Sequence, residues 1–487
     1  MSIQLPHDPD AAGRRPQSPG DGTVRGFVRR IAAALDFWSS PAGPPGRPQM
    51  AQVREWCEQA WRQRGRIAGL MAIANVADAY RRLDAQGKDA FFALLRDGFS
   101  VDEQELRAAI AAYAGTDGND AEPAGGPAQD PVARSEAIVR LSRALESPRL
   151  VLFEQFNTIP SGIKFLVDLR ADLVERLRDD PTLEPLEYEL HRKLASFFNL
   201  GFLKLERIGW DSPAELLENL IRYEAVNHIG NWEDLKHRLV SDRACFAFLH
   251  PAMPYEPVIF VEVALVRGMA KSIQRLLDPT APDLRPDHAD TAIFYGISNA
   301  QRGLRRIQFG NLLIKQVVAR LSTEVPNVKT YATLSPLPLF RTRFLDSALA
   351  DGSLAKLYEK DEAKRLRETV AMDDTAAALR ELLGRPDWHL DPAAGDALKP
   401  GLLRAARQHL AERTHHGHAA CPVAHFHGSN GALLARLNWL ADTSPHGVAQ
   451  SAGIMANYLY DMERFEEHQS VYLRTGHIAQ SKIVKGL

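Results

Sequence analysis

Near Gly201 the hydrophobic period of this chain changes from that of a helix to that of a strand. Apolar residues every 3.6 positions bury a stripe of helix, whereas strict alternation buries one face of a sheet. The two parts therefore need different architectures. Upstream, residues 50–63 set Val53, Trp56, Cys57, Ala60 and Trp61 at i, i+3, i+4, i+7 and i+8. Residues 67–86, 88–97, 102–114, 132–145, 162–178 and 184–199 follow the same rule, and Pro185 suits a first helical turn. Downstream, residues 202–208 alternate apolar and charged side chains, and 245–249, 258–266 and 291–298 read as further strands. A helix over 310–324 then leads to a strand over 329–334. A strand–loop–helix–strand crossover among other strands implies a mixed sheet. Residues 345–420 turn helical again, and 433–458 should bring Trp439, Met455 and Tyr458 into a core. The expected fold class is α+β: an all-helical N-terminal bundle, then a mixed α/β domain with helical insertions.

The expected organisation is a disordered tail over 1–23, a helical packing or oligomerisation domain over 24–199, and a second domain over 200–487. Pro and Gly interrupt any period in the tail, in the break at 39–48 and in the stretch 115–131. At 45% apolar and 25% charged the chain is globular in composition. Its net charge of −2 leaves no overall positive field for nucleic acid or an anionic membrane. Cys57, Cys245 and Cys421 are too few and scattered for a disulfide framework, though surface thiols can cross-link subunits. No apolar run is long enough for a transmembrane helix. Asp8, Asp10 and Asp21 argue against a transit peptide, despite a basic amphipathic stretch at 24–38. The expectation is a cytoplasmic protein.

Three segments can carry chemistry. The first is the basic loop that opens the helix at Gly310, with Arg302, Arg305 and Arg306. Free N–H groups and the helix dipole at such a start favour an anion. The spacing Arg305-x-x-Gln308-x-Gly310 partly matches the acyl-CoA pyrophosphate loop of GNAT-type acetyltransferases, with Gln308 where the first glycine is usual. A solvated basic loop is the plainer reading of the residues alone. The second is Ser335, held by Pro336 and Pro338 just after a strand; a Ser-Pro turn explains it equally. The third is the run of His415, His416, His418, His425 and His427 around Cys421. It contains no Asp or Glu, and Gly417 and Pro422 make it a loop, so no metal is expected. If extended, it puts His425 and His427 on one face. Histidine is the side chain best suited to move a proton near neutral pH.

Seven segments, in order over 197–487, together resemble the malonyl-CoA decarboxylase family. They are GFLKLER from Gly201, AIFYGIS from Ala292, GNLLIK from Gly310, LSPLP from Leu334, NGALLARLNWLAD from Asn430, GIMANY from Gly453 and SKIVK from Ser481. The resemblance implies a GNAT-like catalytic domain with neither metal nor organic prosthetic group. It implies malonyl-CoA as substrate, acetyl-CoA and carbon dioxide as products, a place in fatty acid metabolism, and a homo-oligomer, dimer or tetramer. Ser335 and His427 fall where the family has its catalytic serine and histidine. Arg305, Arg306, Ile307, Gln308, Phe309, Gly310 and Asn311 fall on the loop that binds the CoA thioester, and Tyr460 on a tyrosine lining the site. Some family members carry glutamate at the position of Gln308, which here can donate a hydrogen bond but not a proton.

That chemistry needs few groups. Loss of carbon dioxide leaves an enolate on the thioester, which fixed donors stabilise by about 3–4 kcal/mol each. An apolar wall destabilises the carboxylate against neutral carbon dioxide, and Leu337, Leu339 and Phe340 are the expected wall. A proton must then reach the α-carbon, for which a Ser335–His427 pair suffices. Two other functions fit the residues: a GNAT-type N-acyltransferase, which needs an amine, and an acyl-CoA-binding regulator without turnover.

Overall fold

The computed structural model describes residues 49–116, 131–240, 242–281, 284–307, 309–414 and 417–487. The tail 1–23, the stretches 24–38, 39–48 and 117–130, and Gln308, His415 and His416 lie outside the described residues. The chain forms two compact units: Met1–Leu166 with Glu175–Lys193, and Val167–Val174 with Leu194–Leu487.

The helical part runs α1 (Met50–Arg62), α2 (Ile67–Arg81), α3 (Ala85–Gly98), α4 (Glu103–Ala114), α5 (Pro131–Ala144), α6 (Pro148–Phe156), α7 (Gly162–Arg176) and α8 (Glu184–Phe197). The stripe on α1 buries Val53, Cys57 and Ala60, while Trp61 stays exposed. The single helix expected over 67–86 breaks at Arg81, because Asp84 caps α3 by accepting from the Gly87 N–H. Tyr80, Phe91, Phe92 and Phe165 meet edge to face, with centroids 4.9 Å apart for Tyr80–Phe91 and 5.6 Å for Tyr80–Phe165. Each such buried ring contributes about 2–3 kcal/mol. A half-buried fork–fork pair fixes α6 on α8: Arg149 Nε and Nη2 donate to Glu189 at 2.6 and 3.0 Å.

The second unit is built on a mixed sheet with eight strands among the described residues. These are β1 (Lys204–Ile208), β2 (Arg243–His250), β3 (Met253–Val266), β4 (Thr291–Asn299), β5 (Thr330–Thr333), β6 (Ser335–Pro336), β7 (Leu433–Asn438) and β8 (Met455–Leu459). The order is β1-β2-β3-β4-β5-β8-β6, and β7 pairs with β8. Among the described strands only the β4–β5 pair is parallel, and α12 (Gly310–Glu324) makes its crossover. In chain order before α12 come α9 (Ala214–Tyr223), α10 (Trp232–His237) and α11 (Ile273–Leu277). The sequence reading omitted α6, α9, α10 and α11, the longest of which has 10 residues. It started the third strand too late, at 258, since β3 begins at Met253 and takes in Pro254 and Pro257. Those prolines sit where the pairing with β2 shifts register, the place for a residue without an N–H.

Between β6 and β7 the chain inserts helices. A π-helical turn at Phe340–Leu345 leads to α13 (Asp346–Ala350), α14 (Lys360–Val370), α15 (Thr375–Gly384), α16 (Pro392–Ala411) and α17 (Pro422–Ser429). After β7 come α18 (Pro445–Ser451), then β8, α19 (Phe465–Thr475) and α20 (Lys482–Lys485). The loop expected around His425 and His427 is corrected here, and so is the shared face it would have if extended: both lie on α17. Pro422 stands at its first position, and eight residues are too few to reveal a period. All three cysteines are buried, so surface cross-linking through them is also overturned.

Candidate active site

The site forms where β4 and β5 part. Their parallel register runs from Thr291↔Thr330 to Phe294↔Thr333 and stops. Leu334 makes the last bond, its N–H donating to the Phe294 carbonyl. In the gap lies a cavity of roughly 220 Å³. Val226, Phe294, Tyr295, Ile297, Asn299, Ser335, Pro336, Pro422, Val423, Phe426 and His427 line it. Glu224 holds Val226 there by accepting from its N–H at 2.8 Å.

Ser335 is fixed by pairing with Ala456 on β8. His427 is fixed by the ends of α17. Cys421 precedes the helix, and Gly431 ends it in a left-handed turn at φ 74°, pressed on the Phe465 carbonyl. Gly428 packs so close to Tyr472 that a Cβ would meet its ring at 2.7 Å. The His427 ring is stacked on Tyr458 with centroids 4.3 Å apart. These constraints bring Nε2 of His427 to 3.1 Å from Ser335 Oγ. On the other side, His427 Nδ1 is 2.8 Å from the Tyr460 hydroxyl. Ser335 Oγ is also bonded to Thr333 Oγ1 at 2.9 Å, and Thr333 Oγ1 accepts from the Tyr458 N–H. All five side chains are buried.

Burial pushes the His427 imidazole down to about 3 and raises the Tyr460 phenol. Burial thus keeps His427 in its neutral form near pH 7. The folded value lies below the ordinary 6.5, so this group subtracts stability as pH falls from 6.5 towards 3. A pH–rate profile between about pH 5 and 8 should accordingly show no inflection at the ordinary histidine value. An inflection near 6.5 that disappears in His427→Gln would contradict this.

The structure brings together Ser335, His427 and Tyr460, the residues that the family resemblance placed at the site, but not every other expected residue. Arg305 and Arg306 are exposed, Ile307 is half-buried and Phe309 is buried as the N-terminal flank of α12. None of these lines the cavity. Gln308 lies outside the described residues, and Gly310 and Asn311 form the first turn of α12. That turn has no acidic residue and no side-chain cap. The loop is anchored from α7: Arg170, fully buried, donates from Nη1 to the carbonyls of Gly303 at 2.6 Å and Arg305 at 3.0 Å.

The expected apolar wall is also corrected. Leu337 and Phe340 are buried away from the cavity, and Leu339 is exposed at φ 66°. The turn after Pro338 sends Phe340 onto Phe344 and His409 instead. Thr333, Tyr458 and Arg170 were not expected at the site. A two-residue period would have found the first two, since Thr333/Ser335 and Tyr458/Tyr460 each stand i, i+2 along a strand direction. No local signal marks Arg170. Near α17, the His425 Nδ1 is 2.7 Å from the Tyr472 hydroxyl, and the His418 ring lies 5.0 Å away.

Comparison with known proteins adds to this geometry. A family model described as "Malonyl-CoA decarboxylase C-terminal domain" matches residues 201–487, and one described as the N-terminal domain of the same enzyme matches 99–198. The mitochondrial malonyl-CoA decarboxylase of Rattus norvegicus is 33% identical over 97% of this chain and 94% of its own length. That of Anser anser anser is 38% identical over 68% of each. The crystal structure of malonyl-CoA decarboxylase from Rhodopseudomonas palustris superposes with a TM-score of 0.78 at 36% identity, covering 90% of this chain and 100% of that one. The Agrobacterium vitis structure gives 0.77 at 36% identity, over 89% and 98%.

Proposed function

The chain belongs to the malonyl-CoA decarboxylase family, and from that premise we propose that it converts malonyl-CoA to acetyl-CoA and carbon dioxide at the cavity between β4 and β6. The observation that carries the reading is the Ser335–His427 hydrogen bond at 3.1 Å on the wall of that cavity. The substrate carboxylate accepts from the Ser335 hydroxyl. Phe294, Ile297, Val423 and Phe426 surround it with apolar surface, which favours its departure as neutral carbon dioxide. The bond to the α-carbon breaks, and its electron pair passes onto the thioester as an enolate. Ser335 gives its proton to the α-carbon and takes the Nε2 proton of His427, while the Tyr460 proton moves onto Nδ1. After the products leave, a solvent proton entering the cavity reaches Ser335, and the relay runs back to restore the Nε2–H of His427 and the Tyr460 hydroxyl. The histidine stays uncharged throughout, in keeping with its depressed basicity. The thioester is its own electron sink, so the reading requires neither metal nor prosthetic group.

The same reading takes the sheet as GNAT-like. Three features support it: the β4–β5 splay, the one-residue shift in β3–β4 pairing beside Tyr295, and a helix starting in a basic loop between the parallel strands. That loop, Arg305 to Asn311, takes the CoA pyrophosphate on the free N–H groups of α12. Arg305→Glu should raise the Michaelis constant for malonyl-CoA about tenfold or more with little change in kcat. An unchanged constant would move the phosphate site elsewhere. Residues 24–199 serve self-association as a dimer or tetramer, to which the exposed Ile138, Val139 and Leu145 offer apolar surface. No helix among the described residues is long and apolar enough to cross a membrane, and a cytoplasmic place of action completes the reading. Sedimentation and cell fractionation test these last two points.

The deciding experiment supplies purified protein with malonyl-CoA and no amine, and follows carbon dioxide and acetyl-CoA. Release of both supports the reading. Malonyl transfer only when an amine is added would make the protein an N-acyltransferase, and binding without turnover would make it a regulator.

A further inference from the structure

Thr333, Ser335, His427 and Tyr460 form one line of four groups joined by three hydrogen bonds. Each hydroxyl carries one proton, the neutral imidazole carries one, and either hydroxyl of Thr333 and Ser335 can donate to the other. That makes four protons for three bonds. If the line runs from Tyr460 towards Thr333, the Thr333 proton is left over; if it runs the other way, the Tyr460 proton is. Both hydroxyls are buried, and among the described residues neither has another acceptor in reach. A buried donor without an acceptor is costly. One arrangement satisfies all four. Tyr460 donates to Nδ1, Nε2–H donates to Ser335 Oγ, Thr333 donates to Ser335 Oγ, and Ser335 turns its own proton to an acceptor in the cavity.

We propose that Thr333 is a positioning residue whose hydroxyl, opposite the His427 Nε2–H, aims the Ser335 proton at the carboxylate of a bound acyl-CoA. The inference rests on the decarboxylase reading for the identity of that carboxylate. Thr333 is suited to the task. Its Oγ1 is held by the Tyr458 N–H at 3.2 Å, and its carbonyl accepts from Asn457 Nδ2 at 2.6 Å. The second bond holds the backbone, and the side chain cannot turn without breaking the first. With the Oγ1 lone pair engaged by Tyr458, the Thr333 proton has Ser335 as its remaining partner.

The test compares Thr333→Val with Thr333→Ser. Thr333→Val keeps the shape and removes the hydroxyl. It should lower kcat/KM for malonyl-CoA about 10- to 100-fold, the worth of one hydrogen bond to an ionic group. Its dissociation constant for acetyl-CoA, which has no carboxylate, should stay within about twofold of wild type. Thr333→Ser should restore turnover to within about threefold. A purely structural role would weaken both thioesters alike and would not be rescued by serine. Undiminished turnover in Thr333→Val, or no rescue by serine, would overturn the proposal. If Thr333→Val does not fold, Thr333→Ala is read by the same two criteria. A wild-type protein without decarboxylase activity would overturn the underlying reading instead. The ratio of malonyl-CoA to acetyl-CoA affinities in wild type and variants then still decides whether Thr333 directs the serine to the carboxylate.

Discussion

Ser335→Ala and His427→Ala should each lower decarboxylase turnover about 10²–10⁴-fold, and the double variant should be little worse than either. The reason is geometric. In the proposed relay the two buried groups, 3.1 Å apart, act as one device, so removing either half removes the transfer. Independent contributions would multiply the two losses. Acetyl-CoA affinity should survive in all three variants, because the loop from Arg305 is untouched. Steady-state rates with malonyl-CoA and equilibrium binding of acetyl-CoA measure the two quantities. A serine variant with full activity, or multiplicative losses in the double variant, would show that the pair does not act as a relay.

Asn457→Leu should be the most damaging single substitution for folding among residues that never touch the cavity. Asn457 is fully buried on β8. Its Nδ2 donates to the carbonyls of Thr333 at 2.6 Å and Ala270 at 3.1 Å. Its Oδ1 accepts from Asn438 Nδ2 at 2.8 Å and Arg436 Nε at 3.2 Å. Leucine fits the volume but satisfies none of these. Each stranded buried group costs about 1–3 kcal/mol. Arg436 keeps its bond to Asn438 Oδ1 at 2.7 Å, which limits the total to about 3–5 kcal/mol. The thermal midpoint should fall by about 10 °C, read by calorimetry. A fall under about 2 °C would mean that the four partners find other bonds. Since Asn457 anchors Thr333, surviving folded protein should also lose turnover.

The same residues show how far the sequence could be read. The helices over 50–63 and 162–178 and the strands near 204, 245 and 291 were legible because each is long enough to display a period. The α12 crossover was legible to its ends, since Pro326 and Asn327 stop it and a glycine starts it. Ser335 stood out because two prolines leave its backbone little freedom. Shorter elements failed for the converse reason: α17 has eight residues, and its sequence reads as a loop. The apolar wall failed because burial says nothing about which cavity a side chain faces. Leu337 and Phe340 are as buried as expected, yet other residues do the lining.

The sequence by itself determined the change of architecture near Gly201, the mixed sheet with its one crossover, and which residue types stand ready for proton transfer. These follow from local periodicity and backbone stereochemistry, which act over a few residues. Only the tertiary structure decided that His427, 92 positions from Ser335, meets it within a hydrogen bond. It alone decided that Thr333 and Tyr460 close the line at either end, and that Arg170 of α7 holds the loop before α12. It alone made His427 neutral as well, because an imidazole's basicity is set by the water that folding removes, and no stretch of sequence carries that information.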